Sequence, residues 1–188
     1  LLFVKESNIG GEFMSDDKKQ KIHDIAKYRW KPNGKVQNFL SDDEIYNLTI
    51  PRGTLTPEER QVINDHIVVT INMLDELPYP KHLRNIPEFA GGHHEKLDGT
   101  GYPKGLTKNE MSVQARIMAI ADIFEALTAR DRPYKKGKTL SQAMRILGFM
   151  KDDAHIDVDL FDIFVKKKIY MKYAKGFLEP EQIDEVSL

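Results

Sequence analysis

The most apolar stretch of the chain runs from Ser112 to Ala129 and has the sequence SVQARIMAIADIFEALTA. Ser112 is a preferred N-cap residue, and the good helix formers after it predict a helix over about 113–129. Asp122 is the only charged residue in the segment IMAIADIF at its centre. Because an unpaired buried carboxylate is costly, we expect Asp122 to be buried with a partner, as a paired structural residue or a metal ligand.

Helix signals flank this stretch on both sides. They predict further helices over about 16–30, 41–47, 56–77, 85–94, 139–151, 157–175 and 179–186. Thr56 marks the clearest start, because Pro57 follows it and Glu59 stands where a capping box needs an acid. Convincing two-residue alternation, the pattern of a strand, is absent from the sequence. The predicted fold is therefore all-α, with several helices around one core.

Composition excludes several classes of function. A chain of 188 residues with 40% hydrophobic and 30% charged residues has the size of one domain, or of a large part of one. Its 28 basic and 29 acidic residues give a net charge of -1, so no positive field favours a nucleic-acid polymer. Cysteine is absent, which excludes disulfides, thiolate catalysis and cysteine-held metals. No apolar run approaches the length of a membrane span, and we expect a cytoplasmic protein.

Three histidines extend the chemistry that Asp122 indicates. His66 falls on the apolar face of its predicted helix, and His93 and His94 are adjacent at the end of theirs. Each has an ordinary interpretation, as a core or a surface residue. Imidazole and carboxylate groups from separate helices together suit Mn, Fe, Ni or Zn. Such a metal can activate water and hold a phosphate oxygen.

Two neighbouring segments fit a site for phosphate. The glycine-rich loop, residues 98–105 with the sequence DGTGYPKG, has glycines that permit close backbone approach. A basic cluster follows the helix predicted over 113–129 and comprises Arg130, Arg132, Lys135 and Lys136. By itself this cluster is typical of a solvated turn. Beside a metal site its side chains would be natural phosphate ligands.

The segment HHEKLDGTGYPKGL, residues 93–106, resembles the signature of the HD-GYP family, a branch of the HD metal-dependent phosphohydrolases. IADIFEALT at 120–128, with DRPY at 131–134, resembles the family's next signature, apart from the extra residue Arg130. LTPEE at 55–59, leading to His66, resembles the segment before it. The resemblance covers about residues 50–160. It implies an HD-domain-like helical bundle with extra C-terminal helices, of which residues 49–188 would form the C-terminal portion.

The resemblance also implies a reaction and a cofactor. Members of the family hydrolyse cyclic dinucleotides in bacterial signalling, chiefly cyclic di-GMP and in some cases 3′,3′-cyclic GMP-AMP, to linear dinucleotides. They use two or three divalent metal ions, iron or manganese. By position, the family's metal ligands match His66, His93, His94 and Asp122. Neither the preferred cyclic dinucleotide nor the metal can be deduced from the sequence.

Further residues match the family by position. Arg132 and Lys135 match residues expected near the substrate phosphates. Gly101, Tyr102 and Pro103 match a loop that the family links to contacts with diguanylate cyclase-type partners, and we expect this loop to act through its conformation rather than in catalysis. Members often form homodimers and carry sensory or receiver domains. No residue is assigned here as a catalytic acid or base.

A His-Asp pair at His23 and Asp24, in the segment HDIAK, resembles the family's HDIGK. Three departures favour a chance match. The charged segment DDKKQK precedes the pair where the family has an apolar helix, Ala26 replaces a glycine, and the 42 positions from Asp24 to His66 exceed the family's spacing. A charged helix followed by the turn KPNG is more typical of an insertion. Whether this pair is the family's metal-binding pair stays open.

The chain starts with Leu-Leu-Phe-Val and has no initiator methionine, so we expect more chain upstream of Leu1. Residues 1–48 would then be a helical insertion or the N-terminal part of the domain, and the family's His-Asp pair would lie upstream. The isolated 188 residues would hold only part of the metal shell. We therefore expect them to be inactive or nearly so.

The leading hypothesis is a cyclic-dinucleotide phosphodiesterase, a phosphoric diester hydrolase. The alternative is a catalytically incomplete HD-GYP module that acts as a nucleotide- or partner-binding regulatory domain, and the altered His-Asp pair motivates it. A third interpretation is an HD phosphohydrolase that acts on mononucleotides.

Overall fold

The computed structural model describes residues 2–9, 13–130 and 137–186, and these residues are helical apart from loops and one short hairpin. The helices are α1 (Leu2–Asn8), α2 (Asp16–Ala26), α3 (Asp42–Leu48), α4 (Pro57–Asn64), α5 (His66–Asp75), α6 (Ile86–Gly91), α7 (Val113–Thr128), α8 (Leu140–Asp152), α9 (Val158–Lys166) and α10 (Ile169–Phe177). Strands β1 (Arg29–Trp30) and β2 (Gln37–Asn38) pair antiparallel. The prediction of an all-α fold is confirmed.

Most predicted helix starts agree with the structure because their capping side chains form the expected hydrogen bonds. The Thr56 hydroxyl accepts the backbone N–H of Glu59, and the Glu59 carboxylate accepts that of Thr56, which completes the predicted capping box. Ser112 accepts the N–H of Ala115 at the start of α7. Thr139 caps α8 in the same reciprocal way. Each of these helix starts is fixed by hydrogen bonds between residues only a few positions apart. The sequence alone can therefore reveal where the helices begin.

Helix ends and breaks differ more from the predictions. The helix predicted over 56–77 is broken at Asp65, and the one predicted over 157–175 is broken at Lys168, whose φ of 49° is left-handed. The helix predicted over 16–30 ends at Ala26, because the chain turns into β1. The last predicted helix is only a 3-10 turn, Pro180–Gln182.

The chain divides into two compact units, Leu1–Asn64 and Asp65–Leu188, each with its own core, so the expectation of one core is wrong. In the first unit, α2 packs against α3 around Ile22, Ala26, Leu40 and Leu48. The boundary at residue 48 expected from the sequence concerns an insertion relative to the family, and it stays a prediction.

The second unit has the larger core, and the elements that carry the histidines are joined to it through α7. Helices α7 to α10 surround buried side chains that include Phe124, Leu140, Met144, Leu147 and Phe161. Helix α6 packs against both α5 and α7. The start of α5, the end of α6 and the middle of α7 are thereby held in one framework. Among the described residues, no helix has the length and apolar character that crossing a membrane requires.

Candidate metal centre

Three histidines converge in the second unit. The ring nitrogens of His66, His93 and His94 that could bind a metal all lie within 4.8 Å of one another. Nε2 of His94 lies 3.2 Å from Nε2 of His66, and the two rings meet edge to face. The rings of His93 and His94 have centroids 4.1 Å apart. Three imidazoles at this spacing are a donor set that suits a borderline divalent metal ion.

The local structure explains how adjacent histidines can share one site. His93 and His94 were expected on a helix, where their side chains would diverge by about 100°. Helix α6 instead ends at Gly91, and both histidines lie on the turn beyond it. The break at Asp65 likewise makes His66 the first residue of α5, exposed rather than part of the apolar core.

A backbone contact orients His93. Its Nδ1 lies 2.6 Å from the carbonyl oxygen of Ala90, so an N–H at Nδ1 donates to that oxygen. This hydrogen bond fixes the tautomer and leaves Nε2 without a proton, able to bind a metal ion. Metal-binding histidines characteristically use their second nitrogen in this way.

The electrostatics of the cluster favour the unprotonated form of His94. Burial lowers the pKa of His94 to about 4, and the neighbouring His93 and His66 act in the same direction. The negative charge of Asp122 opposes this shift. At neutral pH the His94 imidazole is therefore uncharged, which is the form that binds a metal.

Asp122 lies on α7 and is exposed, so the expectation that it is buried is wrong. The apolar residues around it do not enclose it, because α7 buries another face, which includes Ala119, Ile120 and Phe124. Asp122 is close enough to influence the charge of His94 and of Tyr102. It is not part of the compact group that the three histidines form within the described residues.

The glycine-rich loop is tied to the turn that bears the histidines. Glu95 is 2% exposed, and its two carboxylate oxygens accept the backbone N–H groups of Lys104 and Leu106 at 2.7 and 2.9 Å. The loop then passes so close to Glu95 that a Cβ at Gly101 would lie 2.5 Å from the Glu95 Cα. Only glycine fits there, which gives a physical reason for one residue of the signature.

The next residue brings an aromatic ring into the cluster. The ring of Tyr102 stacks on that of His94, with centroids 4.9 Å apart and planes 16° apart. Burial raises the pKa of the Tyr102 hydroxyl, so the side chain stays neutral at pH 7. The Tyr102–Pro103 peptide bond is cis.

A buried ion pair secures the far end of the loop. Asp157, whose side chain is 1% exposed, caps α9 and pairs with Arg116 on α7 and with Lys108. The backbone N–H of Leu97 also donates to the carbonyl oxygen of His155. The chain on either side of the loop is therefore fixed to α7 and to the segment that begins α9. Sequence reasoning assigned no role to Glu95, and it treated Asp157 only as a helix start, because neither interrupts an apolar stretch as Asp122 does.

Two expected site residues cannot be placed. Arg132 and Lys135 lie outside the described residues. Their neighbour Arg130 is described and pairs with Glu179 at 3.0 Å.

The pair at His23 and Asp24 has a plain local environment in the first unit. Both side chains are exposed on α2. The Asp24 carboxylate accepts hydrogen bonds from Lys27 at 2.8 Å and from Gln20 at 3.1 Å. This is the pattern of a surface helix that pairs its own charges.

Fold and site together define an all-helical protein with a histidine cluster of the metal-binding kind. Residues 41–160 match the family described as HD domain, and the chain belongs to this family. HD-domain phosphohydrolases are metal-dependent enzymes, and the three-histidine cluster fits such a metal. The resemblance to the HD-GYP branch is confirmed by this family match together with the similar cyclic-dinucleotide phosphodiesterases described next.

Two relatives show how far the similarity extends. The 3′3′-cGAMP-specific phosphodiesterase 3 of Vibrio cholerae is 37% identical over 138 residues, which cover 73% of this chain and 25% of the relative. The cyclic di-GMP phosphodiesterase of Thermotoga maritima is 41% identical over 93 residues, or 50% of this chain and 25% of the relative. The matched part of this chain thus spans about a quarter of each relative.

Proposed function

We propose that this chain is the metal-binding part of a phosphodiesterase that hydrolyses a cyclic dinucleotide to a linear dinucleotide. The observation that carries the proposal is the convergence of His66, His93 and His94 within 4.8 Å. The names of the two relatives support the class of substrate, since one is specific for cGAMP and the other is a cyclic di-GMP phosphodiesterase.

In this proposal the three histidines hold iron or manganese, and Asp122 contributes a carboxylate to a cluster of two or three ions. The hydrogen bond to Ala90 keeps Nε2 of His93 free for the metal. The uncharged His94 imidazole binds without first losing a proton. The bound ions would supply Lewis acidity for a phosphate oxygen and for water.

The reaction breaks one phosphodiester P–O bond. Water supplies the oxygen that becomes bonded to phosphorus, and a proton goes to the departing 3′ oxygen. Arg132 and Lys135 would bind the phosphates of the substrate, as the resemblance implies. No residue of this chain is assigned as the acid that protonates the leaving oxygen.

A groove beside Asp122 supports the nucleotide part of the proposal. Asp122 and Glu125 line it together with Phe164, Ile169 and Tyr173. Nucleobases stack on aromatic side chains, and such stacking tolerates either purine of a cyclic dinucleotide.

The resemblance adds a setting to this proposal. We place the protein in the cytoplasm, with a diguanylate cyclase-type partner and a homodimeric state as further expectations.

The environment of Asp24 favours a second candidate function, the regulatory module that binds a nucleotide without hydrolysing it. The Asp24 carboxylate accepts hydrogen bonds from Lys27 and Gln20 on the surface of α2, which is the environment of a surface residue rather than of a metal ligand.

The test is metal content followed by turnover. The chain is purified without oxygen, and metal per chain is measured for wild type, His93→Ala and the matched control His82→Ala, which changes an exposed histidine of the same unit. We expect iron or manganese in wild type and His82→Ala and a loss in His93→Ala. Equal metal in all three would contradict the proposal.

Turnover separates the two candidates. Cyclic di-GMP, 3′,3′-cyclic GMP-AMP and nucleoside mono- and triphosphates are each incubated with the 188 residues and with the full-length protein, and the products are separated by chromatography. We expect product from the full-length protein and little or none from the 188 residues. Binding without product from the full-length protein would favour the regulatory module, and hydrolysis of mononucleotides instead would favour the general phosphohydrolase.

A further inference from the structure

The ring of Tyr102 restricts the orientation of His94. The two rings lie 16° from parallel, and the backbone N–H of Tyr102 donates to the carbonyl oxygen of His94 at 3.3 Å. Tyr102 thus contacts the side chain and the backbone of one histidine. Rotation of the imidazole about its bond to Cβ would drive the ring edge into the stacked phenol. The direction of Nε2 toward His66 is therefore constrained by the ring stacked on the face of the imidazole.

Glu95 fixes the segment that carries this ring. Its carboxylate is almost fully buried and takes both hydrogen bonds from backbone N–H groups, those of Lys104 and Leu106. Charge-assisted bonds of this kind are stronger than neutral ones. Because Glu95 directly follows His94, the bonds close the loop back onto the turn that bears the ligand. The contact at Gly101 leaves the loop no room to shift toward Glu95.

We propose that Glu95 and Tyr102 are positioning residues for His94: Glu95 anchors the glycine-rich loop, and the loop holds Tyr102 against the imidazole. The role rests on the proposed function, since it requires His94 to be a metal ligand. It gives the loop a task inside the metal site, in addition to the partner contacts that the resemblance implies. The task does not involve the phenol hydroxyl, only the flat ring.

The test is a titration of the chain with Co²⁺ followed by visible absorption, which reports both affinity and coordination geometry. The variants are Tyr102→Phe, which keeps a flat ring, and Tyr102→Leu, which keeps apolar bulk without one. Lys104→Ala is the matched control, because it changes an exposed side chain of the same loop and leaves the N–H that Glu95 binds. Thermal unfolding of each variant shows that binding is compared between folded proteins.

We expect Tyr102→Phe and Lys104→Ala to bind Co²⁺ like wild type. Tyr102→Leu should bind it about 10- to 100-fold more weakly, the range seen when groups that orient metal ligands are lost, with an altered absorption spectrum. Glu95→Gln should act in the same direction, because its amide NH₂ cannot accept a hydrogen bond where a carboxylate oxygen did. Wild-type affinity and spectrum in Tyr102→Leu would overturn the positioning role, as would an equal loss in Tyr102→Phe.

One further variant separates this proposal from the one on which it rests. If His94→Ala binds Co²⁺ as tightly as wild type, His94 is not a ligand, and the proposed function fails together with the positioning role. If His94→Ala loses binding and Tyr102→Leu does not, only the positioning role fails.

Discussion

The two places where a histidine is directly followed by an acid, His23-Asp24 and His94-Glu95, differ in what surrounds them. On α2 the imidazole and the carboxylate are exposed, and Asp24 is paired within one helical turn. At the end of α6 the carboxylate is buried and binds residues 9 and 11 positions away, while the imidazole contacts another helix and a loop. A pair of residue types becomes a candidate site only where distant segments pack against it.

The prediction with the largest expected effect tests the difference between these two pairs directly. His94→Ala removes a candidate ligand, and we expect metal affinity to fall by more than about 100-fold, since even groups that only orient ligands contribute about 10- to 100-fold. His23→Ala, on the exposed helix, should leave metal content unchanged. Elemental analysis of both variants measures this. Loss of metal in His23→Ala would make the two pairs equivalent and would restore His23 as a ligand.

The second prediction concerns the packing that α2 lacks. Gly101→Ala would place a Cβ 2.3 Å from the backbone nitrogen of Lys96, and no side-chain rotation can relieve a clash with backbone. We expect a loss of about 3 kcal/mol in unfolding free energy, at the upper end for overpacking. Gly148→Ala is the matched control, because nothing lies within 4 Å of the new Cβ in the middle of α8. It should stabilise the protein by about 0.5–1 kcal/mol, and urea unfolding tests both signs.

The third prediction compares two aspartates that each pair with a lysine. Burial disfavours the charge of Asp157, yet hydrogen bonds from Leu160, Arg116 and Lys108 outweigh this and hold its pKa below the ordinary value of 3.8. Asp157→Asn keeps the helix cap and loses the charge, which should cost about 2 kcal/mol at pH 7.

The pH dependence of that cost has a definite sign. Because the pKa of Asp157 is lower in the folded state than in the unfolded state, its charge stabilises the protein at pH values above the unfolded-state pKa. This contribution is lost as the pH falls through the folded-state pKa. The difference in unfolding free energy between wild type and Asp157→Asn should therefore be constant from neutral pH down to about pH 5 and shrink below about pH 4. A difference that persists at pH 2 would mean that packing rather than charge is responsible.

The smallest expected effect is that of Asp24→Asn. The carboxylate is exposed, and its partners Lys27 and Gln20 lie within the same helix. We expect no measurable shift in the thermal midpoint, because exposed pairs of this kind contribute little. A substantial loss of stability, or of metal, would show that Asp24 does more than pair charges on α2.

The sequence was most informative where structure is local. The caps at Thr56 and Ser112 were predicted because each side chain binds backbone only a few residues away. The breaks at Asp65 and Lys168 were missed, because nothing in the residue types there opposes a continuous helix.

For the candidate site, resemblance was more informative than periodicity. The resemblance selected His66, His93 and His94 together. The predicted helices instead pointed the side chains of His93 and His94 in diverging directions and placed His66 in a core. Glu95 could not be predicted to be buried, because a charged residue between polar neighbours gives no signal of burial. Asp122 gave the opposite error: its apolar neighbours suggested burial, but it lies on a face of α7 that the core does not cover.

Gln182, one of the buried polar side chains, has a consequence for the segment that carries Arg132 and Lys135. Its Nε2 donates to the carbonyl oxygens of Thr128 and Lys138, at 2.9 and 3.0 Å, on either side of that segment. Nearby, Asp184 accepts two hydrogen bonds from Ser141. One amide thus bridges the end of α7 and the backbone just before α8. Removing residues 182–188 would leave every histidine intact and still break this bridge; if Arg132 and Lys135 bind phosphate as proposed, that truncation should weaken substrate binding without loss of metal.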